Sequence, residues 1–131
     1  AIRGNSRKIR SFSQIRTLGE ESASLRLGGV YIVTGGASGV GYLVSQHLAR
    51  SVGARLVIAG RTTLPPRESW VDYCRSEPEG HPVRETVENL LALEAVGAEV
   101  FYVAADVSRA EEAGRLVEDA EVRFGTLNGV W

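Results

Sequence analysis

Three glycines, Gly35, Gly39 and Gly41, follow the short apolar run Val30-Tyr31-Ile32-Val33-Thr34 and open an amphipathic segment from about Val40 to Ser51. Glycine adopts positive φ and carries no Cβ to hold a phosphate away from the backbone. A helix starting at such a turn presents unpaired N–H groups and the positive end of its dipole to an anion. This strand–turn–helix unit is therefore predicted to hold a pyrophosphate, with Thr34, Gly35, Gly36, Ser38, Gly39, Val40 and Gly41 around it. The spacing is Gly-x-x-x-Gly-x-Gly, a variant of the more usual Gly-x-Gly-x-x-Gly dinucleotide fingerprint. Ser38 has two compatible roles there, a contact to a ribose or phosphate oxygen and a helix N-cap.

Two later positions extend the site. Gly60-Arg61 ends a second apolar run about twenty residues after the turn. A site for NAD usually places Asp or Glu at that point to bind the ribose hydroxyls. Arginine would instead fork onto a 2′-phosphate through charge-assisted hydrogen bonds, so the expected cofactor is NADPH rather than NADH. An arginine in a loop is ordinarily a solvated charge; its spacing from the glycine turn is what gives Arg61 this reading. Asp106-Val107 follows a third apolar run. Asp106 either accepts a hydrogen bond from an adenine amino group, with Val107 against the base, or supports the turn before Ser108.

Other reactive side chains lack partners in the sequence. His47 falls inside a helical pattern, and His81, beside Pro82, has no second ligand at metal-binding spacing. No metal is expected. Cys74 stands alone without a partner motif, and Trp70 is expected to bury its ring and anchor a loop.

The elements that position these residues are legible from periodicity. Gly53 to Arg61 and Gly97 to Ala104 read as buried strands, each introduced by a glycine that suits a helix C-cap. Between them lies a helix over roughly Val83 to Val96, with Val87, Leu90, Leu91 and Ala95 at helical spacing. A further helix is expected from about Arg109 to Phe124, with Ala113, Leu116, Val117, Ala120 and Phe124 on one face and a Ser108–Glu111 capping box at its start. Gly114 is a mild propensity cost inside it. The segment from Arg61 to Val83, with Pro65, Pro66, Pro78, Gly80 and Pro82, reads as a long loop with a short helical turn near Ser69 to Cys74. Continuous apolar strands alternating with helices imply a parallel sheet covered on both faces. The fold expected is α/β, the first half (βαβαβαβ) of a Rossmann-type doubly wound sheet.

Composition sets the wider limits. The chain has 131 residues, 44% of them apolar, and a formal charge of −1, which suits one globular unit with a modest core. No apolar run approaches the roughly 18 residues of a membrane span, so no membrane partner is expected. One cysteine fits a reducing compartment, and a cytoplasmic location follows from it as an expectation. The first sixteen residues carry Arg3, Arg7, Lys8, Arg10 and Arg16 with no acid before Glu20. Such a start suits a transit peptide or a nucleic-acid arm. Ile9, Phe12 and Ile15 build no continuous apolar face and no aromatic platform, so a solvated strand and linker is expected, with no nucleic-acid partner. The absence of methionine, and a last apparent strand beginning at Leu127, predict a piece of a larger polypeptide.

Thr34-Gly35-x-x-x-Gly39-x-Gly41, with Asp106-Val107 after the third strand, resembles the short-chain dehydrogenase/reductase pattern. More narrowly, the segments GGVYIVTGGASGVG, GARLVIAGR, LPPRESW, LEAVGAEVFYVAADVS and RFGTLNGVW together resemble the ketoreductase domain of modular (type I) polyketide synthases. The opening AIRGNSRKIRSF is similar to the last strand of the structural subdomain that precedes the catalytic one in those enzymes. On that resemblance, residues 1–28 are that strand plus a linker, and 29–131 the N-terminal part of an NADPH-binding ketoreductase domain. The resemblance implies hydride reduction of a β-ketoacyl thioester, tethered by phosphopantetheine to an acyl carrier protein, to the β-hydroxyacyl form. It also implies the rest of the ketoreductase and other synthase domains as partners. Gly35, Gly39 and Gly41 would bind pyrophosphate, Arg61 the 2′-phosphate, and Asp106 and Val107 the adenine.

The catalytic set of that family does not carry over. Its tyrosine precedes an Asn or Lys by four residues, whereas Tyr31, Tyr42, Tyr73 and Tyr102 are followed at that distance by Gly35, Gln46, Glu77 and Asp106. No catalytic residue is therefore assigned, and the chain alone is expected to hold cofactor without reducing substrate. Two alternatives accompany this reading. One is a non-catalytic, structural ketoreductase-like domain of a synthase; the other is a stand-alone short-chain reductase, against which the LPPRESW loop counts.

Overall fold

The computed structural model describes residues 2–3, 6–7, 9 and 25–131. Ile2–Arg3 (β1) and Ser6–Arg7 (β2) pair antiparallel. The rest of the basic opening segment, Lys8, Arg10, Phe12, Ile15 and Arg16 included, lies outside the described residues, as does most of the linker expected over 1–28.

The apolar runs form the sheet that their composition predicts. Val30–Thr34 (β3), Arg55–Gly60 (β4), Glu99–Ala104 (β5) and Leu127–Val130 (β6) stand in the order β5-β4-β3-β6. All three pairings are parallel. That is the strand order of the first half of a doubly wound sheet, with its reversal beside β3. Successive side chains of β3 and β4 enter opposite cores, which is why neither strand alternates polar with apolar residues.

The helices Gly39–Val52 (α1), Trp70–Ser76 (α2) and Pro82–Ala95 (α3) share one face. There Tyr31, Val33, Leu56 and Ile58 pack with Leu48, Trp70, Val87, Leu90 and Leu93. On the other face Val30, Ile32, Val57 and Ala59 meet Leu116 and Ala120 of Ala110–Phe124 (α4). Each helix falls within a residue or two of its expected position, the scatter usual for helix ends.

Two local expectations are corrected. The segment after Arg61 is more ordered than a loop with one short turn: a 3₁₀ turn at Arg67–Ser69 runs into α2, which extends to Ser76. The buried Trp70 explains this, since its Nε1 donates to the Pro65 carbonyl at 2.9 Å and the Arg67 guanidinium stacks 4.5 Å from its ring. The Ser108–Glu111 capping box does not form. The N-cap of α4 is Arg109, with extended backbone, which leaves Ser108 one residue too early for that role.

Candidate functional site

At the carboxyl ends of β3, β4 and β5 lies a cleft of about 510 Å³. Its lining brings together Thr34, Gly35, Ser38, Gly60, Arg61, Asp106 and Val107, residues drawn from three strand ends. This is the crevice in which open α/β sheets hold ligands.

The turn after β3 is shaped by its glycines in two ways. Gly35 and Gly39 take φ of +65° and +50°, and an added Cβ at either would meet nothing within 4 Å. Their constraint is conformational, and Gly35 also lines the cleft. Gly36 and Gly41 serve packing instead. A Cβ on Gly41 would stand 2.3 Å from the Gly35 carbonyl oxygen, and one on Gly36 would press on Ile58, Ser45 and Val33. Gly36, Gly39, Val40 and Gly41 do not line the cleft through side chains; they build and close the turn behind it. The Val40 side chain, 77% exposed, faces a separate apolar groove with Leu25, Leu43, Val44, His47 and Trp131.

Main-chain and side-chain bonds hold this turn rigid. Gly35 N donates to the Ala59 carbonyl at 2.7 Å, and Thr34 donates from both N and Oγ1 to the Trp131 carbonyl. Buried Ser45 donates to the Gly36 carbonyl at 3.0 Å, and Asn89 Nδ2 on α3 donates to the Ala37 carbonyl at 2.9 Å. Ser38 occupies the N-cap position, yet its hydroxyl makes no capping bond. The ladder of α1 begins with Tyr42 N donating to the Ser38 carbonyl, Ser38 lines the cleft, and the first turn of the helix holds no acidic residue. That arrangement fits an anion.

On the opposite wall Arg61 is exposed, and among the described residues its side chain enters no ion pair. Asp106 is bound more tightly. Its Oδ1 accepts from Ser108 Oγ at 2.7 Å and from Ser108 N at 3.1 Å, while its own N donates to Glu112 Oε2 at 2.7 Å. The Ser108 hydroxyl, then its amide, and more weakly the Arg61 and Arg109 charges hold the Asp106 carboxyl below its ordinary range. Asp106 thus supports the turn, as one of its two sequence readings has it, and its second oxygen has no hydrogen-bond partner among the described residues. Val107, 44% exposed, stands beside it.

Sequence reasoning did not single out Thr62, Thr86 and Tyr102, which also line the cleft. Thr86 comes from the first turns of α3, and Tyr102 from β5, where it reads as an ordinary strand residue. No local signal marks either. Among the described residues no cluster of three or more His, Cys, Asp or Glu converges, and no helix is long and apolar enough to cross a membrane.

A family model described as KR domain matches residues 29–131, most of the chain and all of the four-stranded unit. The chain belongs to the ketoreductase (KR) domain family of polyketide synthases, within the short-chain dehydrogenase/reductases. This KR sequence is 32% identical over 114 residues to polyketide synthase PksM of Bacillus subtilis (strain 168), an alignment covering 87% of the chain and 2% of that protein. Among solved structures it is similar to an N-terminal ketoreductase from the macrolactin assembly line, with a TM-score of 0.65 and 36% identity over 85% of the chain and 19% of that structure. A ketoreductase domain from the bacillaene assembly line matches with a TM-score of 0.59 and 32% identity, covering 82% of the chain and 22% of its own. The KR chain therefore spans a small share of the proteins it resembles.

Proposed function

We propose that this chain is the cofactor-binding front of a polyketide synthase ketoreductase that uses NADPH. The observation that carries the reading is Arg61, an exposed guanidinium with no ion pair among the described residues, on the wall of the cleft that also contains the Gly35 turn and Asp106. The glycine turn and the start of α1 would hold the pyrophosphate, Arg61 the 2′-phosphate, and Asp106 with Val107 the adenine. The open space over Gly35 and Gly39 and the acid-free first turn of α1 support that fit. When bound, the nicotinamide supplies a hydride to a ketone carbon. The substrate of this reading is a β-ketoacyl thioester on the phosphopantetheine arm of an acyl carrier protein, reduced to a β-hydroxyacyl thioester. The catalytic Tyr and Ser belong to the remainder of the ketoreductase domain, and this chain alone binds without reducing. Other synthase domains are its partners, in the cytoplasm.

The test is cofactor discrimination in the polypeptide that carries this sequence. Arg61→Asp is expected to weaken NADPH on the order of tenfold or more, the scale of losing a charge-assisted hydrogen bond, with a much smaller change for NADH. Equal losses for the two cofactors in a fluorescence titration would sink the Arg61 assignment.

A further inference from the structure

Tyr102 lies on the wall of the cleft, directly behind the residues that present Arg61. It stands opposite Ile58 in the β4–β5 register, on the face packed against α1 and α3. Packing alone would be met by an aliphatic residue there. A tyrosine brings a hydroxyl that needs a partner once partly buried. That partner is the main chain of the neighbouring turn: Oη donates to the Thr62 carbonyl at 2.7 Å. The same ring lies against Gly60, where an added Cβ would stand 2.7 Å from Oη and 3.4 Å from both Cε2 and Cζ. One side chain therefore touches the residues on both sides of Arg61.

The main chain supplies the rest of the clamp. Ala105 N donates to the Gly60 carbonyl at 2.8 Å, which holds the peptide before Arg61 to β5. The Tyr102 hydroxyl holds the carbonyl after it. With no ion pair of its own among the described residues, the Arg61 guanidinium is directed by its backbone and by the weak pull of the Asp106 carboxylate. A long side chain on an unclamped turn would sample many directions and lose more freedom on binding.

We propose that Tyr102 is a positioning residue for cofactor discrimination, its hydroxyl fixing the Gly60-Arg61-Thr62 turn so that Arg61 is presented to a 2′-phosphate. This rests on the reading of Arg61 as the 2′-phosphate partner. Tyr102 touches neither phosphate nor adenine in this role; it acts through the turn.

The experiment is a double-mutant cycle between Tyr102→Phe and Arg61→Ala, reading NADPH and NADH dissociation constants in the polypeptide that carries this sequence. Phenylalanine keeps the ring and its packing, and an unchanged thermal midpoint checks that. Tyr102→Phe is expected to weaken NADPH roughly three- to tenfold, the scale of one hydrogen bond, and to leave NADH within twofold. In the Arg61→Ala background the same change is expected to do nothing to NADPH. Equal losses for both cofactors, or a Tyr102→Phe effect that persists without Arg61, would show a merely structural tyrosine and overturn the proposal while leaving Arg61 its role. No change in either cofactor would do the same. If Arg61→Ala itself fails to discriminate, both the cofactor reading and the positioning role fall.

Discussion

Asp106 shows how one carboxylate organises the turn before a helix. Both Ser108 donors converge on Oδ1, and they depress the carboxyl below the ordinary value of about 3.9. A lowered folded-state pKa means that the unfolded chain binds the proton more readily. This contribution to stability is therefore present above about pH 4 and is lost as pH falls through the folded value. Removing the first cause should reverse the shift: Ser108→Ala is expected to raise the Asp106 pKa toward the ordinary carboxylate value in an NMR titration. An unshifted Asp106 in that variant would mean that the Ser108 hydroxyl is not what holds it. At this scale the sequence was only partly legible. Ser108 and Glu111 match a capping box by spacing, yet the helix begins one residue later, so Glu112 rather than Glu111 reaches back to the Asp106 amide. Spacing alone cannot fix where a helix starts to within one residue, and a cap depends on that one residue.

Among the elements, α4 offers the cleanest test of propensity. Gly114 lies in its exposed middle, outside the positive-φ region, and an added Cβ would meet nothing within 4 Å. Gly114→Ala is expected to stabilise the folded chain by about 0.5–1 kcal/mol, since only backbone freedom in the unfolded state changes. A shift of the denaturation midpoint to higher urea checks it; destabilisation would show that the position has a contact not explained by α4 itself. The amphipathic pattern of α4 was legible because Leu116 and Ala120 recur at helical spacing toward a single buried face. The α2 segment was less so. Its seven residues are anchored by Trp70 reaching the Pro65 carbonyl, and a helix that short depends on packing more than on its own propensity.

Residues 25–131 form a three-layer arrangement in which every central strand serves two cores. The helical pattern places Leu90 and Leu91 together on the inner face of α3, but the layers separate them. Leu90 is fully buried beneath α1 and the sheet, whereas Leu91 is only partly covered at the margin. Leu90→Ala is expected to cost about 2–5 kcal/mol and Leu91→Ala clearly less, compared by urea unfolding. Similar losses at the two positions would contradict this placement of α3.

By itself the sequence determined the four strands of the parallel sheet, their doubly wound topology and the glycine turn, because these follow from short-range periodicity and from the few topologies that parallel crossovers allow. It also located Arg61 and Asp106, since each lies within two residues of a strand end. Asp106 is held locally, by Ser108 and Glu112, but only the tertiary structure decided what holds the Arg61 turn and the glycine turn in place. The Tyr102–Thr62 bond joins positions 40 apart, and the Asn89–Ala37 bond joins positions 52 apart. Such pairs have no signature in sequence spacing: a hydroxyl or amide finds its carbonyl only after the sheet has brought separate strand ends into register. The cleft-lining glycine turn, Arg61 and Asp106 were thus legible locally, whereas the long-range bonds that fix the two turns were written in the fold.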